Sequence, residues 1–136
     1  MNREFKFRAW CKNHKVMVEK IDFVKWNEKR ELFVNQDHRC AGKEILMQYT
    51  GLKDKNNVEI YEGDILSPTD KWNESKYIIE WNEINCCFTS IDGGAYNFCG
   101  DPDDEIKYNL LSNMRLDLVE IIGNVYENSD LFNYTI

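Results

Sequence analysis

Leu46-Met47-Gln48-Tyr49-Thr50-Gly51-Leu52-Lys53-Asp54-Lys55-Asn56-Asn57-Val58-Glu59-Ile60-Tyr61-Glu62-Gly63-Asp64-Ile65 is the stretch on which the reading of the fold turns. Its centre, Lys53 through Asn57, is polar, and asparagine accepts the left-handed backbone that a tight hairpin requires. Val58-Glu59-Ile60-Tyr61 then alternates apolar and polar side chains with the period of a strand. Glu62-Gly63-Asp64 turns the chain again, into Ile65-Leu66. On the upstream side, Glu44 through Tyr49 fits either one helical turn or a bent strand, with Thr50-Gly51 ending it.

The same two-residue period spreads outward. Phe5, Phe7 and Ala9 alternate with Lys6, Arg8 and Trp10, and Val16-Met17-Val18 follows a polar break. Ile21, Phe23 and Lys25 alternate with Asp22, Val24 and Trp26, and Glu31-Leu32-Phe33-Val34 makes a further short run. Downstream come Lys76 through Trp81, Cys86-Cys87-Phe88-Thr89, a turn at Asp92-Gly93-Gly94, and a last strand over Val119–Tyr126 bulged at Gly123. Leu110, Leu111, Met114 and Leu118 stand near helical spacing, but Asn109, Ser112 and Asn113 weaken a helix there. Many short strands at close spacing predict a mainly β protein with at most short helices and a small antiparallel barrel. The division expected is an N-terminal strand meander over residues 1–43 and a barrel domain over 44–136, set apart by polar Asn35–Gly42.

Composition limits the function classes. The chain has 136 residues, 43% of them hydrophobic and 30% charged, enough for one core and too ordered a mixture for intrinsic disorder. No apolar h-region follows the charged N-terminus and no run approaches the ~18 residues of a membrane helix, so a cytoplasmic, membrane-free setting is expected. Cys11, Cys40, Cys86, Cys87 and Cys99 are odd in number and form no C-x-x-C pair. In a reducing compartment they read as small apolar thiols, with Cys86 and Cys87 on opposite faces of one strand, and no disulfide framework is expected.

Three blocks carry a family likeness: Lys6-Phe7-Arg8-Ala9-Trp10 with Met17, the central stretch quoted above, and Val119-Glu120-Ile121-Ile122-Gly123-Asn124-Val125-Tyr126-Glu127-Asn128. Their order and spacing resemble the YopX family of bacteriophage and prophage proteins. Asn57 stands where that family usually has Gly, and Ser129 where it usually has Pro; both keep turn chemistry. The resemblance implies a phage-encoded, mainly β protein with an SH3-like barrel that assembles into a homo-oligomer. It implies no molecular activity.

Chemistry finds little support in the side chains. Cys11-x-x-His14 and His38-x-Cys40 make a ligand set that zinc accepts, but H-x-C is too short for a usual second arm. Asp101-x-Asp103-x-Glu105 alternates oxygens like a calcium loop, yet has Ile106 where a glycine belongs and Pro102 within it. No nucleophile motif, phosphate loop or dinucleotide fingerprint is present. The expectation is a protein that is not an enzyme and uses no metal or cofactor.

Charge is more informative. The chain carries 17 Lys/Arg and 24 Asp/Glu, net −7. Residues 1–30 hold nine basic and four acidic side chains, whereas residues 31–136 hold eight and twenty. The basic end suits an acidic body, its own or a sibling's, with aromatic anchors at the interface. The candidate binding residues are Lys6, Arg8 and Trp10 at that end, Tyr49 and Tyr61 as a barrel-surface pair, and Asp64 as a turn carboxylate receiving backbone N–H groups. The reading is a self-associating phage accessory protein that binds a host or phage macromolecule. The alternative is single-stranded nucleic acid on the basic, aromatic N-terminal strands. Surplus aromatics, among them Trp10, Trp26, Trp72 and Trp81, are expected to face outward in part.

Overall fold

A computed structural model describes residues 4–21, 24–29, 32–34, 44–70, 75–84, 86–92, 109–110 and 115–131. His38, Cys40, Cys99, Trp72, Asn35–Gly42, Gly93-Gly94 and the acidic stretch 101–105 lie outside them. The protein is mainly β, as the two-residue periods predict, with two short 3-10 turns among the described residues. It divides into two compact units, Met1–Gly51 and Leu52–Ile136.

In the first unit β1 (Phe7–Cys11) lies between β2 (Val16–Val18) and β5 (Glu44–Lys53), antiparallel to both. Ala9 faces Val18 and Leu46, Trp10 faces Met17 and Ile45, and Arg8 faces Met47. Residues paired across antiparallel strands share a face. One face of this sheet therefore gathers Arg8, Trp10, Met17, Ile45 and Met47. The other carries Ala9, packed against Val18, Ile21 and Leu46. β1 is a central strand, and Arg8, Ala9, Trp10 and Cys11 are all buried, so the expected in-out alternation is absent there. A separate ribbon joins β3 (Val24–Trp26) to β4 (Leu32–Val34), with Val24 opposite Val34 and Trp26 opposite Leu32.

β5 settles the helix-or-strand ambiguity. It is a ten-residue strand that runs on through Thr50-Gly51 instead of ending there. Gly51 has φ +85°, a left-handed value that suits glycine, and the strand continues through it.

The second unit begins where β5 turns through residues 54–58 into β6 (Glu59–Tyr61), its neighbour in the sheet. Asn57 takes φ +65° in that turn, the conformation for which asparagine was read. A second sheet then runs in the order β10-β9-β8-β7-β11. Its strands are β7 (Asp64–Pro68), β8 (Tyr77–Asn82), β9 (Cys87–Asp92), β10 (Asn109–Leu110) and β11 (Val119–Asn124). A 3-10 turn at Leu116–Leu118 delivers β11 to β7. The pairing of β11 and β7 slips between Ile121 and Gly123, a bulge at the expected position. Ile60, Leu66, Ile79 and Val119 form the main core, with Leu52, Tyr77, Phe88, Leu116 and Ile121 against it. Ile65 and Ile78 make a second cluster with Ile122, Val125 and Leu131.

Two expectations about cysteine need correction. Cys86 lies outside β9, in the turn before it, with φ +50°. Cys11 is disulfide-bonded and is not a free packed thiol. Sequence spacing gives no measure of how close two cysteines are brought in space, which is what pairing depends on. Cys86 and Cys87 are free.

Candidate functional site

Four of the expected binding residues fall on one part of the first unit. The Tyr49 amide donates to the Lys6 carbonyl at 2.8 Å, and the Lys6 ammonium stands 5.5 Å from the centre of the Tyr49 ring. Lys6 is exposed and also pairs with Glu4 at 2.9 Å. Arg8, Trp10 and Tyr49 are buried, Arg8 to 8% of its full exposure, so their side chains are held inside this chain's own fold.

Tyr61 and Asp64 sit together in the second unit. The Tyr61 amide donates to Asp64 Oδ2 at 2.8 Å, and the Tyr61 hydroxyl donates to Glu59 Oε2 at 3.1 Å. Asp64 thus receives a backbone N–H across the Glu62-Gly63 turn, the role read from sequence. Both residues are buried.

Asp54 does more than its sequence position announces. Its Oδ1 accepts the amides of Asn56 at 2.8 Å and Val58 at 3.0 Å, and its Oδ2 accepts the amide of Ile121 at 3.0 Å. One buried carboxylate therefore shapes the β5–β6 turn and fastens it to β11. Beside it the Lys55 amide donates to the Val119 carbonyl at 3.0 Å, and Lys55 Nζ pairs with Glu120 at 3.2 Å. An Asp opening a polar turn was the available signal, but its link to residue 121 was not visible. Asn124 works similarly: its Oδ1 accepts the amides of Tyr126 and Glu127, while its own amide donates to Asn128 Oδ1.

Glu80, on β8 opposite Thr89, is half-buried, and burial pushes its carboxyl above the usual carboxylate range. The buried Thr89 hydroxyl has no hydrogen-bond partner among the described residues. His14 Nδ1 lies 3.4 Å from Cys11 Sγ, a sulfur already committed to a disulfide and so not a thiolate for a metal. No group of three or more His, Cys, Asp or Glu is placed to hold a metal ion among the described residues. No helix there is long and apolar enough to cross a membrane.

Several large apolar side chains stand at the surface. Phe5 is 65% exposed and Trp26 63%, both in the first unit; in the second, Trp81 is 42% exposed and Ile84 90%. Trp26 and Trp81 are thus the outward-facing tryptophans among the described residues, while Trp10 is inward. Met1–Gly51 carries eleven Lys/Arg against seven Asp/Glu, net +4, and Leu52–Ile136 six against seventeen, net −11.

Antiparallel sheets, polar side chains turned onto their own backbone and apolar groups exposed on each unit define a mainly β protein. The chain belongs to the YopX family, whose model, described as YopX protein, matches residues 6–133. It is similar to the crystal structure of protein EF1440 from Enterococcus faecalis, at 25% identity and a TM-score of 0.59, over 97% of this chain and 100% of that one. No curated protein matches it.

Proposed function

We propose that the chain is a non-enzymatic phage or prophage accessory protein that self-associates in the bacterial cytoplasm and acts by binding a macromolecule. The observation that carries this reading is the charge asymmetry of its units, +4 against −11, combined with large apolar side chains exposed on the positive one. Opposite fields on one chain favour a neighbour that brings basic surface to acidic surface. Trp26 and Phe5 are anchors of the kind that interfaces concentrate, and a two-stranded ribbon such as β3–β4 gains stability when another surface covers it. The second unit reads as an SH3-like barrel: β7, β8 and β9 form a meander, and the 3-10 turn at Leu116–Leu118 leads β11 back to β7.

Light scattering and sedimentation test self-association. The expected result is a mass above that of one chain at low salt, falling as salt rises, and falling further in Trp26→Ser. A single-chain mass at every concentration and salt refutes the reading.

Single-stranded nucleic acid is the second reading, favoured by Phe5, Lys6, Lys25 and Trp26 all being exposed on the positive unit. It needs these residues in place of buried Arg8 and Trp10. Retention of a labelled single strand at low salt, lost in Trp26→Ser, is its expected signature; no retention removes it.

A further inference from the structure

The turn between β8 and β9 is costly for a surface that touches only water. Ile84 sits there 90% exposed, where any polar residue would serve the turn. At the end of β8, Trp81 faces Phe88 across the strand pair, ring centres 5.0 Å apart and planes at 73°, an edge contact that fixes the indole's orientation while leaving much of it accessible. Phe88 is packed against the main core, so this platform rests on a rigid part of the unit.

The unit that carries it is strongly acidic in sum. Of the four described cations in the unit, Lys55 is tied to Glu120, Arg115 to Asp117 and Lys76 to the Leu131 carbonyl, while Lys53 is exposed at the end of β5. Glu83, beside Ile84 in the turn, is an exposed carboxylate in no ion pair among the described residues. The unit as a whole is net −11. An indole with an accessible surface, a neighbouring carboxylate and a negative field together suit a cation, arginine above lysine, because guanidinium stacks on aromatic rings and is weakly hydrated. Ile84 adds a demand for an apolar side chain next to that cation.

We infer that the β8–β9 turn docks a basic, amphipathic segment of a partner protein, with an arginine on the Trp81 ring beside Glu83 and an apolar side chain on Ile84. The inference rests on reading the chain as a binding protein, and adds the location of the site and the chemistry of what fills it. Charge complementarity chooses the occupant: an uncharged apolar segment would satisfy Ile84 but leave Glu83 and the surrounding field unanswered.

The test titrates the full chain with short labelled peptides alternating arginine with leucine, lysine with leucine, or glutamine with leucine, reading anisotropy at low salt and at about 0.3 M salt. The arginine peptide is expected to bind saturably and more tightly than the lysine peptide, with the glutamine peptide weakest. Trp81→Ala and Ile84→Ser should each weaken it roughly 10-fold or more, and Glu83→Gln several-fold, as anchors of a small interface do. Glu127→Gln, a charge change elsewhere on the same unit, should leave it within about twofold. Ile84→Ser and Glu83→Gln alter exposed side chains, so the test survives even if Trp81→Ala unfolds.

Equal losses in Glu83→Gln and Glu127→Gln would reduce the binding to diffuse attraction and overturn the site. Equal binding of the glutamine peptide would make it purely apolar and overturn the cationic partner. Light scattering on the same variants separates this proposal from self-association. If Ile84→Ser breaks up an assembly, the turn belongs to a second copy and the partner proposal fails. If the assembly persists while no peptide binds, the partner proposal fails alone.

Discussion

Asp54→Ala is the most direct test of how the second unit is held together. The substitution removes three accepted hydrogen bonds: two from the turn amides of Asn56 and Val58, and one from the amide of Ile121 in β11. Water can replace the carboxylate at the first two, because residues 55–58 are exposed. The Ile121 amide sits at a strand pairing beside the main core, where replacement is poorer. A hydrogen bond to a charged group contributes about 1.5–3 kcal/mol, and a buried donor left unmet costs about 1–3 kcal/mol. Counting the Ile121 bond in full and the turn bonds in part gives a loss of about 3 kcal/mol, a large share of the 5–15 kcal/mol typical of a domain. Asp54→Asn should lose less, about 1–2 kcal/mol, since its one oxygen still serves the turn while its amide meets the Ile121 N–H donor to donor. Urea unfolding followed by tryptophan fluorescence measures both, and hydrogen exchange at Ile121 locates the effect. A loss below about 0.5 kcal/mol in Asp54→Ala, within the range of ordinary surface changes, would refute the assigned role.

Other outcomes follow from the same structure. A Cβ at Gly123 would lie 2.5 Å from Asn128 Oδ1, so Gly123→Ala should destabilise by about 1–3 kcal/mol. Gly123→Ala combined with Asn128→Ala should lose less than the two single effects added, because the clash and the lost Asn128 bond are one event; strict additivity in a double-mutant cycle would contradict this. Burial raises the Glu80 carboxyl, so the folded state holds that proton more tightly than the unfolded chain does. Its contribution to stability is therefore greatest below the ordinary Glu value of ~4.3 and declines as pH rises through the raised folded value. Glu80→Gln should flatten that part of the stability–pH profile and stabilise the protein at neutral pH; an unchanged profile would exclude the effect.

Much of the fold was legible because local chemistry and global position agree. The Asn57 turn, the strand over residues 59–61 and the bulge at Gly123 each follow from a residue whose backbone preference matches its place. β1 shows where such reading stops. Its alternation of Phe5, Phe7 and Ala9 with Lys6, Arg8 and Trp10 promised one dry face and one wet one, whereas the strand is central and Arg8 is buried with Trp10. Which strands flank a given strand is a long-range fact that period 2 does not encode. The same limit hid the Asp54–Ile121 link and the disulfide at Cys11. Ile84 was overlooked for a different reason: a single apolar residue in a turn breaks no period and so attracts no notice.

The reach of the Asp54 carboxylate also orders events in time. Its acceptor and donor are 67 positions apart, and β11 completes the open side of β7 in the same movement. A ribosome must therefore extend the chain far past the hairpin before its charge is satisfied and that strand edge is hidden. Over that interval β7 offers unpaired amides and carbonyls to any passing extended segment, so crowded synthesis is the stage at which this protein is most open to mispairing.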